Sequence, residues 1–315
     1  MKIVFFGSDD FAAVCLKEIL QSKHQVVGCV TGPDARQGRG MQIALSPIKE
    51  IALEHDIVCL QPDSLKEASV VDSLKAFQAD MFVVVAYGRI LPQAVLDIPK
   101  MFCVNVHGSL LPKYRGAAPI NWAIINGDKQ TGVTLQKIVF ELDAGDVIAQ
   151  EVMPVSDSTT SSVLRQNMAQ AGAKLLVTTL ENIASNKFKA IPQDKSMVSY
   201  APKLTKELGH IQWQKTATEI ERLIRGLQPW PGTFTQYKGK TLKILEASVV
   251  KVQGKPFDVA QGAAGTVVNV TKEGFTIACG QDTLLVKRVH LEASKPVAAY
   301  DFILGSRLTQ GEQLI

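Results

Sequence analysis

The chain has 315 residues, 46% of them hydrophobic and 20% charged, enough to bury a sizeable core and to form two domains. No apolar run reaches the roughly 20 residues of a bilayer-crossing helix, and the acidic pair Asp9 and Asp10 follows the first apolar run without a signal-peptide cleavage pattern, so no membrane association and a cytoplasmic location are expected. The net charge of +4 is unevenly spread: residues 1–194 carry 18 Lys and Arg against 20 Asp and Glu, residues 195–315 carry 16 against 10, and the basic end either faces an anionic macromolecule or is only a solvated face.

In chain order, the apolar runs 2–6, 25–30, 81–85 and 102–106 predict buried strands, being short, rich in Val, Ile, Phe and Cys, and bounded by Gly or polar residues. Between them Phe11, Val14, Leu16, Ile19 and Leu20 follow the helical period, as do Ile48, Ile51 and Leu53, and then Val70, Val71, Leu74 and Phe77. This alternation predicts an α/β fold with a doubly wound, Rossmann-like sheet. Residues 31–45 read as a long loop. Phe6-Gly7-Ser8-Asp9-Asp10-Phe11 lacks the second and third glycines of a dinucleotide fingerprint, which excludes a nicotinamide site. A further strand over 131–139, a turn at Leu142–Asp146 and a long helix over 161–184 complete a first domain, residues 1–188. Residues 189–208 are polar and basic and read as a linker. Residues 209–315 hold one helix, 217–226, and short strand-like runs punctuated by Gly239, Gly254, Gly262, Gly265, Gly274 and Gly280, which fits a small C-terminal β-barrel, OB-like in kind. Trp213 and Trp230 are expected to pack inside that domain, with stacking on bases as the other reading. Cys15, Cys29, Cys59, Cys103 and Cys279, odd in number and widely spaced, read as free thiols.

The chemistry centres on Asn105 and His107. Two apart at the end of a strand, they point to the same side, so an amide donor and a titratable base converge where ligands bind in open α/β sheets. A strand-terminal His is also often plain hydrogen-bonded structure. Residues 109–119 follow, too rich in Pro and Gly for a helix and too apolar for an idle loop, so they fit a pocket wall. Asp143 sits in a predicted turn, where it either orients the imidazole or caps the turn.

Asn105-Val106-His107, the Ser109-Leu110-Leu111-Pro112 that follows, and Leu142-Asp143-Ala144-Gly145 together resemble the signature of formyltransferases that use 10-formyltetrahydrofolate. Gly38-Arg39-Gly40, the stretch Tyr200-Ala201-Pro202-Lys203-Leu204-Thr205-Lys206-Glu207, and Pro229-Trp230-Pro231-Gly232-Thr233-Phe234 are similar to the branch whose acceptor is initiator methionyl-tRNA. The resemblance spans nearly the whole chain. It implies attack of the methionine amino group on the formyl carbon without a metal. Asn105 would hold the formyl oxygen, His107 would act as base or proton shuttle, and Asp143 would orient His107. It also implies a folate pocket lined by Ser109, Leu110, Leu111 and Pro112 and by Tyr87, Gly88, Arg89, Ile90 and Leu91, with the Val139–Asp143 turn reading the pterin edge. For Ile90 and Leu91, plain core is the competing reading. For tRNA it implies contacts from Arg39, Lys203 and Lys206, and the chain is expected to act as a monomer. The chain departs from the family in carrying Asp9 where Pro is frequent, and Met41 and Gln42 where lysines are. The alternatives are a formyltransferase for a small amine such as glycinamide ribonucleotide, a formyl-folate hydrolase, or a noncatalytic RNA-binding protein. The basic C-terminal domain and the Gly-Arg-Gly segment separate the first two from the tRNA reading, since a small substrate needs neither.

Overall fold

Continuous apolar runs become buried strands, and amphipathic stretches cover them. The computed structural model describes residues 1–37, 42–251 and 263–315. In chain order the first elements are β1 (Lys2–Gly7), α1 (Asp10–Leu20), β2 (Gln25–Val30), β3 (Ala35–Gln37), β4 (Gln42–Ala44), α2 (Pro47–Glu54), β5 (Cys59–Leu60), α3 (Ala68–Ala76), β6 (Met81–Val85), α4 (Gln93–Leu96) and β7 (Phe102–His107). There follow β8 (Arg115–Gly116), α5 (Pro119–Asn126), β9 (Gln130–Lys137), β10 (Val147–Pro154), α6 (Ser161–Ala184) and β11 (Tyr200–Ala201). The last are α7 (Ala217–Gly226), β12 (Thr233–Tyr237), β13 (Lys240–Val250), β14 (Val267–Thr271), β15 (Gly274–Ala278), β16 (Thr283–Leu291), β17 (Val297–Ala298) and α8 (Ala299–Ser306). No helix among the described residues is long and apolar enough to cross a membrane.

The chain divides into two compact units. The first comprises Met1–Pro119, Gln130–Pro154 and Leu164–Pro202, and carries a seven-stranded sheet in the order β10-β9-β7-β6-β1-β2-β5. Its five strands β5, β2, β1, β6 and β7 are parallel, and β9 and β10 add an antiparallel edge. Every residue of β6 is buried, as expected for a parallel strand covered on both faces. Asp9 is the N-cap of α1, its carboxylate accepting from the Ala12 amide at 3.1 Å, which gives the extra carboxylate a structural use. Ser46 caps α2 in the same way, with Pro47 in its first turn. The periodicity assigned to α2 overreaches by one residue: Ile48 and Ile51 are buried, but Leu53 lies in the last turn and is exposed. Residues 31–45, expected as loop, contain the antiparallel pair β3 and β4, with Ala35 opposite Ala44 and Gln37 opposite Gln42. Their base is tied by Asp34, which accepts from Lys49 at 2.5 Å and from Gln61 at 2.8 Å. These bonds, the Lys49 contact first, hold the Asp34 carboxyl below its ordinary range.

The second unit comprises Ile120–Lys129, Val155–Val163 and Lys203–Ile315. Its antiparallel sheet runs β12-β13-β16-β15-β14, with β17 on β16. Tyr237 of β12, the apolar face of α7 (Ile220, Ile224), and Phe275, Leu284, Val286 and Phe302 form one core. Trp213 is buried there and donates to Thr235 Oγ1 at 3.2 Å, as expected. Trp230 is not: it is 50% exposed, because it stands in the turn between α7 and β12, outside the alternation that aims side chains inward.

Segment 311–315 joins the first and last strands of this sheet. Gln236 and Ile315 exchange both backbone hydrogen bonds, at 2.6 and 3.1 Å, while Leu314 N donates to Gly265 O at 2.9 Å and Val267 N to Glu312 O at 2.8 Å. The open edges of β12 and β14 are thereby paired, which closes the sheet as a barrel. Leu314 is 1% exposed in the core. Leu314→Ala should cost about 2–5 kcal/mol of stability of this unit. A chemical-denaturation midpoint equal to that of the unmodified chain would show that the closure contributes nothing.

Candidate active site

β7 ends the parallel part of the sheet, and β9 returns beside it with Asn105 opposite Gln136 and His107 opposite Thr134. Strand alternation places Asn105 and His107 on one side, and the sheet buries His107 to 6% exposure. The Nε2–H of His107 donates to the Tyr114 carbonyl at 2.9 Å. A carbonyl only accepts, so Nε2 carries a proton. Nδ1 faces Asp143 Oδ2 at 3.7 Å.

Asp143 is held from two sides. Its Oδ2 accepts from the Gly116 amide at 2.8 Å and its Oδ1 from Gln136 Nε2 at 2.9 Å. The carboxylate therefore reaches an amide 27 residues away rather than capping its own turn. Its backbone is left-handed, with φ 50°, a conformation uncommon for a residue with a side chain. Gly145 completes the turn, because a Cβ there would lie 1.8 Å from Lys137 O, which only glycine avoids. Gly116, at φ 121°, likewise lies against the chain, where a Cβ would meet Ala201 O at 2.7 Å.

The loop after β7 is locked from within. Ser109, fully buried, donates to Lys113 O at 2.6 Å, and Thr134 donates to Ser109 O at 2.6 Å while accepting from Leu111 N at 3.1 Å. Gln150 donates to Leu111 O and Thr134 Oγ1, each at 2.9 Å. Leu111 is buried, and Leu110 and Pro112 are half-buried. Farther out, the buried Arg115 binds Gln193 Oε1 through Nε and Nη2 at 3.1 and 2.9 Å, and Glu141 through Nη1 at 2.9 Å. Gln193 Nε2 in turn donates to the carbonyls of Asp143 and Gly145 at 2.7 and 2.8 Å.

The other expected site residues are less concentrated. Tyr87 and Leu91 are buried in the core beside Phe6, Phe82 and Val95, and burial raises the Tyr87 phenol above its ordinary range. Gly88 has φ 76°, and Arg89 donates to the Pro62 carbonyl at 2.7 Å. Ile90 is 76% exposed, which removes its reading as core. A separate cavity of about 490 Å³ lies at the amino-terminal end of β7, lined by Gln93, Leu96, Asp97 and Phe102 together with Val139 and Phe140. Cys103 also borders it, but burial pushes its thiol up to about 12, so it stays protonated. Lys203 and Lys206 are exposed. Arg39 lies outside the described residues. Tyr114, Gly116, Gln136 and Gln193 escape a sequence reading, since amides and backbone groups acquire their roles only through the fold; the period-2 spacing of Gln136 and Thr134 on β9 is the one usable signal.

A formyl transferase family model matches residues 1–180, and a model of the formyl transferase C-terminal domain matches residues 203–307. The methionyl-tRNA formyltransferase of Alkaliphilus oremlandii is 40% identical over 314 residues, covering 100% of this chain and 99% of that protein. Among solved structures, WlaRD, a sugar 3N-formyl transferase crystallised in the presence of dTDP and 5-N-formyl-THF, shares the fold at TM-score 0.66 and 20% identity, over 94% of this chain and 99% of its own. A variant of HypX from Aquifex aeolicus shares the fold at TM-score 0.64 and 20% identity over 99% of this chain; the chain spans about half that neighbour, 48%. Matched along both parts by the family's two models and along its whole length by such a relative, the chain belongs to the formyl transferase family.

Proposed function

We propose that the chain transfers the formyl group of 10-formyltetrahydrofolate to the free amino group of methionine on initiator methionyl-tRNA. The observation that carries this reading is the buried His107, with Nδ1 turned to a carboxylate that two donors hold in place. 10-Formyltetrahydrofolate supplies the formyl carbon as electrophile. Asn105, at the open end of β7, donates to the formyl oxygen as negative charge develops there. His107 Nδ1 takes the proton that the attacking amine releases, the imidazolium so formed lies between the Tyr114 carbonyl and the Asp143 carboxylate, and as the bond from the formyl carbon to N10 breaks that proton passes to N10, which leaves tetrahydrofolate and the formylated amine. Gly116 and Gln136 keep that carboxylate aimed at the ring through the cycle.

The folate is read to sit at the carboxyl end of β7, where Asn105 and His107 stand, against Ser109, Leu110, Leu111 and Pro112 and the segment Tyr87–Leu91. The excess of 16 Lys and Arg over 10 Asp and Glu in residues 195–315, Lys203 and Lys206 among them, supports an RNA acceptor.

Two results test the acceptor. Arg39→Ala should raise the KM for methionyl-tRNA while leaving folate affinity unchanged, as measured by steady-state kinetics and folate titration; equal loss of both contradicts the role given to Arg39. Initiator methionyl-tRNA should be formylated with a kcat/KM far above that for glycinamide ribonucleotide. Comparable use of the small amine would overturn the acceptor assignment.

A further inference from the structure

One segment outside the catalytic strands bonds Asp143 directly and reaches His107 through Tyr114. Residues 193–201, in the stretch that composition marks as a linker, run alongside the loop after β7, where β11 pairs parallel with β8. At one end of the segment Gln193 saturates its side chain: Nε2 bonds the carbonyls of Asp143 and Gly145, and Oε1 receives Arg115. At the other end Ser199 Oγ accepts from Tyr114 N at 3.0 Å, and its carbonyl accepts from Arg115 N at 2.8 Å. Tyr114 is the residue whose carbonyl fixes the His107 ring. Asp143 and Tyr114 also share a left-handed backbone, φ 50° and 62°, which persists only where the surroundings hold it.

We propose that Gln193 is a positioning residue for formyl transfer: by clamping the two turn carbonyls and bridging them to Arg115, it fixes the Asp143 carboxylate against His107. The inference rests on the proposed reaction, in which that pair receives the amine proton. Gln193 touches neither substrate nor reacting atoms. Its effect passes through the turn. Arg115 belongs to the same brace, because it stands between Gln193 and Glu141 and lies next to Gly116, the donor to Asp143 Oδ2. The brace thus ties the 138–146 turn to the loop after β7, the two segments that must keep a constant spacing if Nδ1 and the carboxylate are to act together.

Two variants separate positioning from simple support of the fold. Gln193→Ala removes both sides of the clamp. Gln193→Glu keeps an acceptor for Arg115 but presents a carboxylate to the carbonyls. Both should lower kcat by about 10²-fold, the scale of an ångström of misplacement, with KM for methionyl-tRNA within a factor of about two. A Glu variant with full turnover would show that pairing Arg115 is the whole role of Gln193, and would overturn the proposal. In an Asp143→Ala background, Gln193→Ala should add no further loss, because it acts through the missing carboxylate; multiplied losses would overturn the proposal. A substrate-free readout keeps this inference apart from the reaction it rests on. The chain has five histidines, so the ring ¹⁵N signals of His107 are resolvable by selective labelling. In Gln193→Glu they should move in the direction seen in Asp143→Ala, and unchanged signals contradict the brace. If the unmodified chain formed no formylmethionine, the proposed reaction would fail, while the His107 signals would still decide the geometry.

Discussion

Replacing His107 by alanine is expected to lower single-turnover formyl transfer by about 10²- to 10⁴-fold, the range contributed by a positioned general base. The ring is buried, so the substitution also leaves a gap and removes the bond to the Tyr114 carbonyl. Both costs fall on stability, and the midpoint of thermal unfolding measures them apart from rate. Asp143 is the neighbour of Nδ1, and Gly116 and Gln136 hold its carboxylate where the ring stands. His107→Gln keeps a donor toward Tyr114 without a base and should fall in the same range. Turnover within tenfold of the unmodified chain for either variant would remove His107 from the chemistry.

Asp143→Asn is expected to cost about 10²-fold in kcat with substrate affinities little changed. The change is nearly isosteric, yet it removes the charge that faces the imidazolium and turns one oxygen into a donor. That donor must then point at Gly116 N–H or Gln136 Nε2–H, so the side chain either rotates or leaves two donors opposed. Pairing it with His107→Ala should give little loss beyond the His107 variant alone, because the carboxylate works through the ring. Rapid-quench measurement of formylmethionine is the check, and full additivity would mean that Asp143 acts by another route.

Much of this arrangement is legible in the amino-acid order. The buried strands are short apolar runs whose ends match turn residues, and the helices over Ser161–Ala184 and Ala217–Gly226 follow from their periodicity. Asn105 and His107 declare themselves by a spacing of two at a strand end. Other parts depend on partners far away in the chain. Gln193 looks like any polar residue in a basic stretch until it meets Asp143 O, 50 positions earlier. Segment 311–315 carries no pattern of its own, since its conformation is defined by the strand edges it pairs. Burial of Tyr87 and Leu91 in the core is set by Phe6 and Phe82, not by local hydrophobicity. Trp230 is apolar yet exposed for the converse reason: a turn position overrides the preference of its side chain.

The central claim is that this chain places a formyl group on the amino nitrogen of methionine carried by initiator tRNA. It is tested most directly by incubating the purified chain with 10-formyltetrahydrofolate bearing a ¹³C formyl carbon and charged initiator methionyl-tRNA, releasing the amino acid, and weighing it. ¹³C-labelled N-formylmethionine is expected, formed at a rate that collapses in His107→Ala. Unmodified methionine after complete consumption of the formyl donor, or labelled product formed equally fast by the His107 variant, would contradict it.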